Sequence, residues 1–254
     1  YEYAALLSMC DHSLGKLLDL MDELEMWKDT MLIVNTDHGF MLGEKGWMGK
    51  NVQPVFEEIS HIPFFIYDPR FPECRNQRRN ALAQTVDIVP TLADFFRIAS
   101  PEFMDGKNLL PVIRDDTPVR DNALFGIYGE QVNITDGRYV YMRAPVFPGN
   151  GPLYTYTLMP CHMRNMFSLE EMKRAELVKG FPHMKESRVM KIPQQGSARA
   201  YDYGNRLYDL KTDPFQQSPI YFEETEKRLT EKMKELMKEN EAPEEQYIRL
   251  GLQE

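Results

Sequence analysis

Apolar residues recur at helical spacing from the start of the chain. Leu6, Cys10, Leu14, Leu17, Leu18, Met21 and Leu24 fall on one side of a helix drawn from Glu2 to Trp27, with the charged residues at the other positions. Beyond Trp27 the pattern changes. Thr30 to Thr36 is a short, β-rich apolar run, which predicts a buried strand. Ile62 to Tyr67 predicts a second strand, closed by Asp68-Pro69, with Pro63 near its start where a missing N–H is tolerated. Helix, strand and glycine-rich loop in that order predict a parallel sheet with covering helices.

A basic loop, Arg75 to Arg79, leads into Gln84 to Phe96. Pro90 suits the first turn of a helix there, carrying Leu92, Phe95 and Phe96 inward. Asp105-Gly106 predicts a turn, and the Pro- and charge-rich stretch to Arg120 a subdomain border. Past it, Ala123 to Tyr128 predicts a strand, and Ile134 to Arg143 a turn feeding an alternating strand. Pro145 to Gln195 reads as loop-rich, with a short helix near Leu169 to Val178. Asn205 to Pro214 predicts a strand and a turn. Glu223 to Asn240 predicts a charged amphipathic helix with Leu229, Met233 and Met237 on one side. There is no internal repeat and no low-complexity tract.

Composition narrows the function classes. With 254 residues, 43% hydrophobic and 11% aromatic, the chain can build a core of one large or two smaller domains. A formal charge of −9 argues against non-specific nucleic-acid binding, which needs a basic surface. No run approaches the roughly 18 apolar residues of a membrane span. No leader is visible, but the chain opens at Tyr1 within a periodic segment and reads as a piece of a longer protein, so its compartment stays open. Cys10, Cys74 and Cys161 form no disulfide pattern, and the sixteen methionines read as gap-filling core residues.

The chemistry concentrates where the first strand ends. Asp37 and His38 close the apolar run, and Gly39, Gly43, Gly46 and Gly49 follow before Lys50. In open α/β sheets ligands collect at the carboxyl edge of the strands. A carboxylate beside an imidazole suits a divalent cation, and a lysine is a point charge suited to a tetrahedral oxyanion. The glycines let the backbone turn tightly and approach a ligand. His61 either points to a site or caps the next strand. Trp47 either walls a pocket or packs, and the same choice holds for Tyr154, Tyr156, Tyr201 and Tyr203. His12, His162 and His183 lack a partner pattern. Asn133-Ile-Thr135 matches a glycosylation acceptor.

The run Asn35-Thr-Asp-His-Gly-Phe-Met-Leu-Gly-Glu-Lys-Gly-Trp-Met-Gly-Lys-Asn51 resembles the second signature region of the sulfatases, in the alkaline-phosphatase-like superfamily. Similar echoes follow in order: His61 to Pro69, Thr85 to Leu92, Asp105 to Pro111 and Leu207 to Pro214. The resemblance implies an α/β fold: a three-layer αβα mixed sheet, partial here, over residues 1–118 as the C-terminal part of the catalytic domain. A smaller α+β subdomain with a short antiparallel sheet is implied over residues 119–254.

By the same resemblance, Asp37 and His38 match two metal ligands and Lys50 the lysine on the substrate's sulfate oxygens, with His61 a further substrate-binding candidate. The implied ion is Ca2+, or Mn2+ or Zn2+ if the chain belongs with the phosphonate and phosphate hydrolases. The implied substrate is a small-molecule or saccharide sulfate ester. Two departures stand out. Lys45 replaces the histidine of Gly-Glu-His-Gly in many members. The Cys/Ser-x-Pro-x-Arg motif that yields the formylglycine nucleophile is absent, since Cys74-Arg-Asn-Gln-Arg78 carries Asn76 in place of proline. The expectation is therefore the C-terminal half of a sulfatase, inactive alone and partnered by the N-terminal half. A catalytically inactive binding module of the same fold is the alternative from another class.

Overall fold

A computed structural model describes residues 1–50, 54–99, 103–162, 164–184 and 187–253. Helix α1 spans Glu2–Glu23 and leads through a short 3-10 turn into strand β1, Leu32–Asn35. A small hairpin follows, β2 (Met41–Leu42) and β3 (Met48–Gly49), then the one-turn helix α2 (Glu57–Ser60) and strand β4 (Phe64–Tyr67). Helices α3 (Ile88–Phe95) and α4 (Leu110–Asp115) complete the first region. Strands β5 (Ala123–Gly126), β6 (Val132–Thr135), β7 (Tyr139–Arg143) and β8 (Tyr154–Thr157) come next. After α5 (Leu169–Lys173) come β9 (Glu176–Lys179), β10 (Arg188–Pro193), α6 (Ala198–Tyr203), β11 (Arg206–Asp209), α7 (Glu223–Glu239) and α8 (Glu244–Leu250).

The centre is a four-stranded antiparallel sheet in the order β11-β7-β6-β5. One face buries Ile134, Tyr141 and Leu207 against Leu229, Met233 and Met237 of α7 and Leu250 of α8. Removing each such side chain from water contributes about 1.5–3 kcal/mol. The opposite face buries Val140, Met142 and Tyr208 against Met41, Val55, Phe56 and Ile59. The alternation expected in β7 is therefore not one of polarity. Val140, Tyr141 and Met142 are all buried because both faces of the sheet are covered. The segment that follows β1 is thus seated on this sheet, and the second cluster draws residues from both sides of position 118.

Several expectations change. The strand at residues 32–35 forms, but it pairs antiparallel with β4, Leu32 opposite Tyr67 and Asn35 opposite Phe64. It is only partly buried, and Phe65 of its partner is 66% exposed. Helix α1 forms as its spacing predicts, yet Met21 is its buried residue while Leu6, Cys10, Leu17 and Leu24 are exposed. In α3, Pro90 and Thr91 face inward, and Phe96 caps the helix in solvent. Asp105-Gly106 lies in irregular chain, with no turn assigned there. Residues 145–195 hold a second antiparallel sheet, β8-β10-β9, instead of loops alone, and the short helix there stops at Lys173.

Two family-like echoes prove to be structural ties. Asp87, fully buried, accepts from the backbone N–H of Gln84 and Lys107 at 2.7 Å each and from both terminal nitrogens of Arg120. Gly106 lets this crossing close, since a Cβ there would lie 2.1 Å from the Val86 carbonyl oxygen. Asp209 accepts from Arg138 Nη2 at 2.7 Å and from Lys211 N at 3.0 Å. The Arg138 hydrogen bond leads the causes that hold its carboxyl below the usual range. Among the described residues no helix is long and apolar enough to cross a membrane.

Candidate active site

Beyond β1 the chain reverses through the β2-β3 hairpin, in which Met41 pairs with Gly49 and Leu42 with Met48. Met41, fully buried, anchors the hairpin to the central sheet. Gly43, Gly46 and Gly49 have φ of 119°, 74° and 109°, values that L side chains rarely adopt. This reversal returns Lys50 to the start of the loop. Its Nζ donates to His38 Nε2.

His38 is set from its other side. Its Nδ1 lies 2.8 Å from the carbonyl oxygen of Gly39, so Nδ1 carries the proton and Nε2 presents its lone pair. Asp37 Oδ2 stands 3.2 Å from that same Nε2, and Oδ1 accepts from the His38 backbone N–H at 3.0 Å. The Asp37 side chain is 81% exposed. Desolvation, the largest single cause, raises its pKa, but His38, the backbone N–H groups of Asp37 and His38, and Lys50 together outweigh it and hold the carboxyl below its ordinary value.

Gly39 answers a different need from the loop glycines. Its N–H donates to Ile59 O at 2.8 Å, and a Cβ would fall 1.8 Å from Glu58 O. Only a glycine lets the Asp-His turn rest directly on α2.

Asp37, His38 and Lys50 therefore come together, as the resemblance implied. His61 does not join them. It pairs with Glu57 Oε2 at 2.9 Å and is 78% exposed, and the Glu57 hydrogen bond is the main cause of its raised pKa. Trp47 packs edge-on to Tyr203 at 6.2 Å, so packing accounts for it. Tyr156 is likewise held in place, by Glu245 and by Phe181 at 5.1 Å. His162 pairs with Glu171, whose carboxyl is held down to about 2 chiefly by the backbone and hydroxyl of Ser168. Asn133 is fully buried within β6, which closes it to glycosylation in the folded chain. Asn51 and the side chain of His183 lie outside the described residues. The residues that sequence reasoning passed over are Lys45 and Glu58, an inward pair beneath the loop at 2.6 Å. The departure at Lys45 was the signal that could have led to them.

The donor set suits a divalent cation in part. An open carboxylate and an imidazole lone pair on adjacent residues fit such an ion, and Lys50 supplies a positive charge beside them. Among the described residues no group of three or more His, Cys, Asp or Glu side chains could hold a metal, so this pair is an incomplete ligand set.

Residues 1–98 match the family described as Sulfatase. An arylsulfatase of Clostridium perfringens is 24% identical over 214 residues, covering 81% of this chain and 42% of that protein. A choline-sulfatase of Rhizobium meliloti is 29% identical over 154 residues, covering 58% of this chain and 29% of its own length. A multifunctional alkaline phosphatase superfamily protein of Trinickia caryophylli is 29% identical over 116 residues, covering 46% and 22%. Among solved structures, one in complex with its substrate D-glucosamine-2-N,6-O-disulfate superposes with a TM-score of 0.60 at 19% identity, over 92% of this chain and 39% of that one. The fold is thus the alkaline-phosphatase-like fold of its structural neighbours, present in part, and over residues 1–98 the chain matches the sulfatase family. It spans less than half the length of these relatives.

Proposed function

We propose that this chain forms part of a metal-dependent sulfatase that hydrolyses sulfate esters. The observation that carries the reading is the convergence of Asp37, His38 and Lys50 at one lip of the fold. Asp37 and His38 supply two ligands to the cation, with Ca2+ as the expected ion, and Lys50 supplies charge to the sulfate oxygens. The cation, when bound, acts as a Lewis acid on the anionic group. Lys50 offsets negative charge in the transition state, and the Nδ1–H bond to Gly39 keeps His38 in the tautomer that can ligate. The nucleophile, a formylglycine, and the remaining ligands come from the N-terminal half. Because Ca2+ prefers six to eight oxygen ligands, two donors hold it weakly and the piece alone is inactive. Residues 1–118 complete the catalytic domain, and 119–254 form the α+β subdomain behind it. The substrate class is a saccharide or small-molecule sulfate ester. A complex with a sulfated glucosamine among the structural neighbours, and an N-acetylglucosamine-6-O-sulfatase of Bacteroides thetaiotaomicron, 29% identical over 115 residues, favour the saccharide.

The similarity to the alkaline phosphatase superfamily protein supports a second reading, a phosphate or phosphonate ester hydrolase using Mn2+ or Zn2+. The full-length enzyme, stripped of metal and resupplied with Ca2+, Mn2+ or Zn2+, should be assayed on paired aryl sulfate and aryl phosphate esters. Faster sulfate release with Ca2+ is expected. Faster phosphate release with Zn2+ or Mn2+ overturns the first reading for the second. No turnover of either ester leaves a binding module.

A further inference from the structure

The loop between Asp37 and Lys50 is fastened from beneath by one charge pair. Lys45 has φ of 53°, a left-handed conformation that glycine adopts without strain and lysine does not. Its ammonium nevertheless points inward. Nζ lies 2.6 Å from Glu58 Oε1 and 4.4 Å from the centre of the Phe56 ring, and the two charged side chains are 15% and 20% exposed. Glu58 Oε2 is buried with no hydrogen-bond partner, so Lys45 is this carboxylate's hold on the loop. The backbone of Glu58 is also the surface on which Gly39 rests. Its carbonyl oxygen fills the space of a Gly39 Cβ, and the next residue's carbonyl accepts the Gly39 N–H at 2.8 Å. Gly39 in turn offers its own carbonyl to His38 Nδ1.

We propose that Lys45 and Glu58 are positioning residues for His38, clamping α2 against Gly39 so that the imidazole keeps its orientation and tautomer. The helix that carries Glu58 has four residues, too few to hold itself in water. A side-chain tether to the neighbouring loop supplies the missing restraint. The carbonyl that orients a ligating histidine sets both the ring plane and the nitrogen left open. The substitution at residue 45 is thereby assigned a structural partner. The inference rests on the reading of His38 as a ligand, and its test separates the two.

The full-length enzyme should be prepared with Lys45→Gln, Glu58→Gln, Lys45→Arg and the double change Lys45→Gln/Glu58→Gln. Calcium alone is titrated by calorimetry, aryl sulfate turnover gives kcat and KM, and imidazole nitrogen NMR of the metal-free protein follows His38. Each single neutral variant should lose about tenfold or more in calcium affinity, with kcat falling and KM holding within about twofold. The His38 Nδ1–H resonance should shift or exchange faster. Lys45→Arg should stay within about threefold of the parent, and the double variant should lose less than the product of the singles. The inference is overturned if Lys45→Gln and Glu58→Gln lower the melting temperature yet keep the parent's calcium affinity and His38 resonance. Should the parent itself bind no divalent ion, the ligand reading fails. The His38 resonance still decides the clamp, moved in the variants if it is right and unmoved if it is wrong. If one neutral variant does not fold, the other and Lys45→Arg carry the same comparison.

Discussion

Asp37 and Asp87 are the same residue type, each in a stretch that resembles a sulfatase motif, and the structure treats them oppositely. Asp87 is fully buried, and its carboxylate is saturated by two backbone N–H groups and the guanidinium of Arg120. Asp37 is 81% exposed, with backbone N–H groups, the Thr36 hydroxyl at 3.4 Å and an imidazole edge on its inner side and its outer side open. A saturated carboxylate ties chain segments together and has no lone pair left for a ligand. An open one on a rigid turn contributes little to stability and keeps its oxygens for an incoming cation. Motif membership alone does not separate these roles; unused hydrogen-bonding capacity does.

Substitutions can break this contrast. The largest expected effect is Asp87→Ala, which strands Arg120 without its partner. Removing one member of such a buried pair costs about 3–5 kcal/mol, read as a lowered denaturation midpoint, while the folded fraction keeps its kcat. Lys50→Ala should show the reverse, a loss of about 10²–10³ in kcat of the full-length enzyme, some 2.7–4 kcal/mol, with stability within about 0.5 kcal/mol of the parent. Asp37→Asn should weaken divalent-ion binding at least about tenfold by calorimetry, the scale reached even by groups behind the ligands, with little change in melting temperature. An Asp37→Asn variant that unfolds but still binds metal would erase the distinction.

The smallest effect concerns His61. Its pKa is raised, mainly by Glu57, so the folded state holds the proton more tightly than the unfolded chain. The pair therefore adds stability below the ordinary histidine pKa, and that stability fades as pH rises through the elevated folded value. With the side chain 78% exposed, solvent screens the pair, and His61→Ala should cost under about 1 kcal/mol near pH 5.5 and nothing measurable near pH 8.5. Denaturation curves at both pH values check the sign, and a larger penalty at the alkaline end would contradict it.

Much of the architecture was legible in the pattern of the chain. Helices α1 and α7 follow their apolar spacing, and β1, β4 and β11 fall within the runs that predicted them. Asp37 and His38 were legible as candidates at the end of an apolar run before a glycine-rich loop, and Lys50 through the resemblance of that loop to the sulfatase signature. Less visible was the β8-β10-β9 sheet. Its strands are short, Pro193 ends one of them, and β9 is largely exposed, so neither alternation nor a continuous apolar run marks them. The direction of pairing between β1 and β4 was also hidden, since a four-residue strand carries no mark of its neighbour's polarity. The inward turn of Lys45 left only one trace in the sequence, its departure from the family's histidine. A lysine in a glycine-rich loop reads as solvated, and its partner Glu58 is met only after the chain has reversed.

The most direct measurement is a crystal structure of the full-length enzyme grown with Ca2+ and located by anomalous scattering. The ion should be bound by Asp37 and His38, with Lys50 Nζ turned to the substrate side of it. An ion held elsewhere, with Asp37 and His38 free of it, would contradict the account.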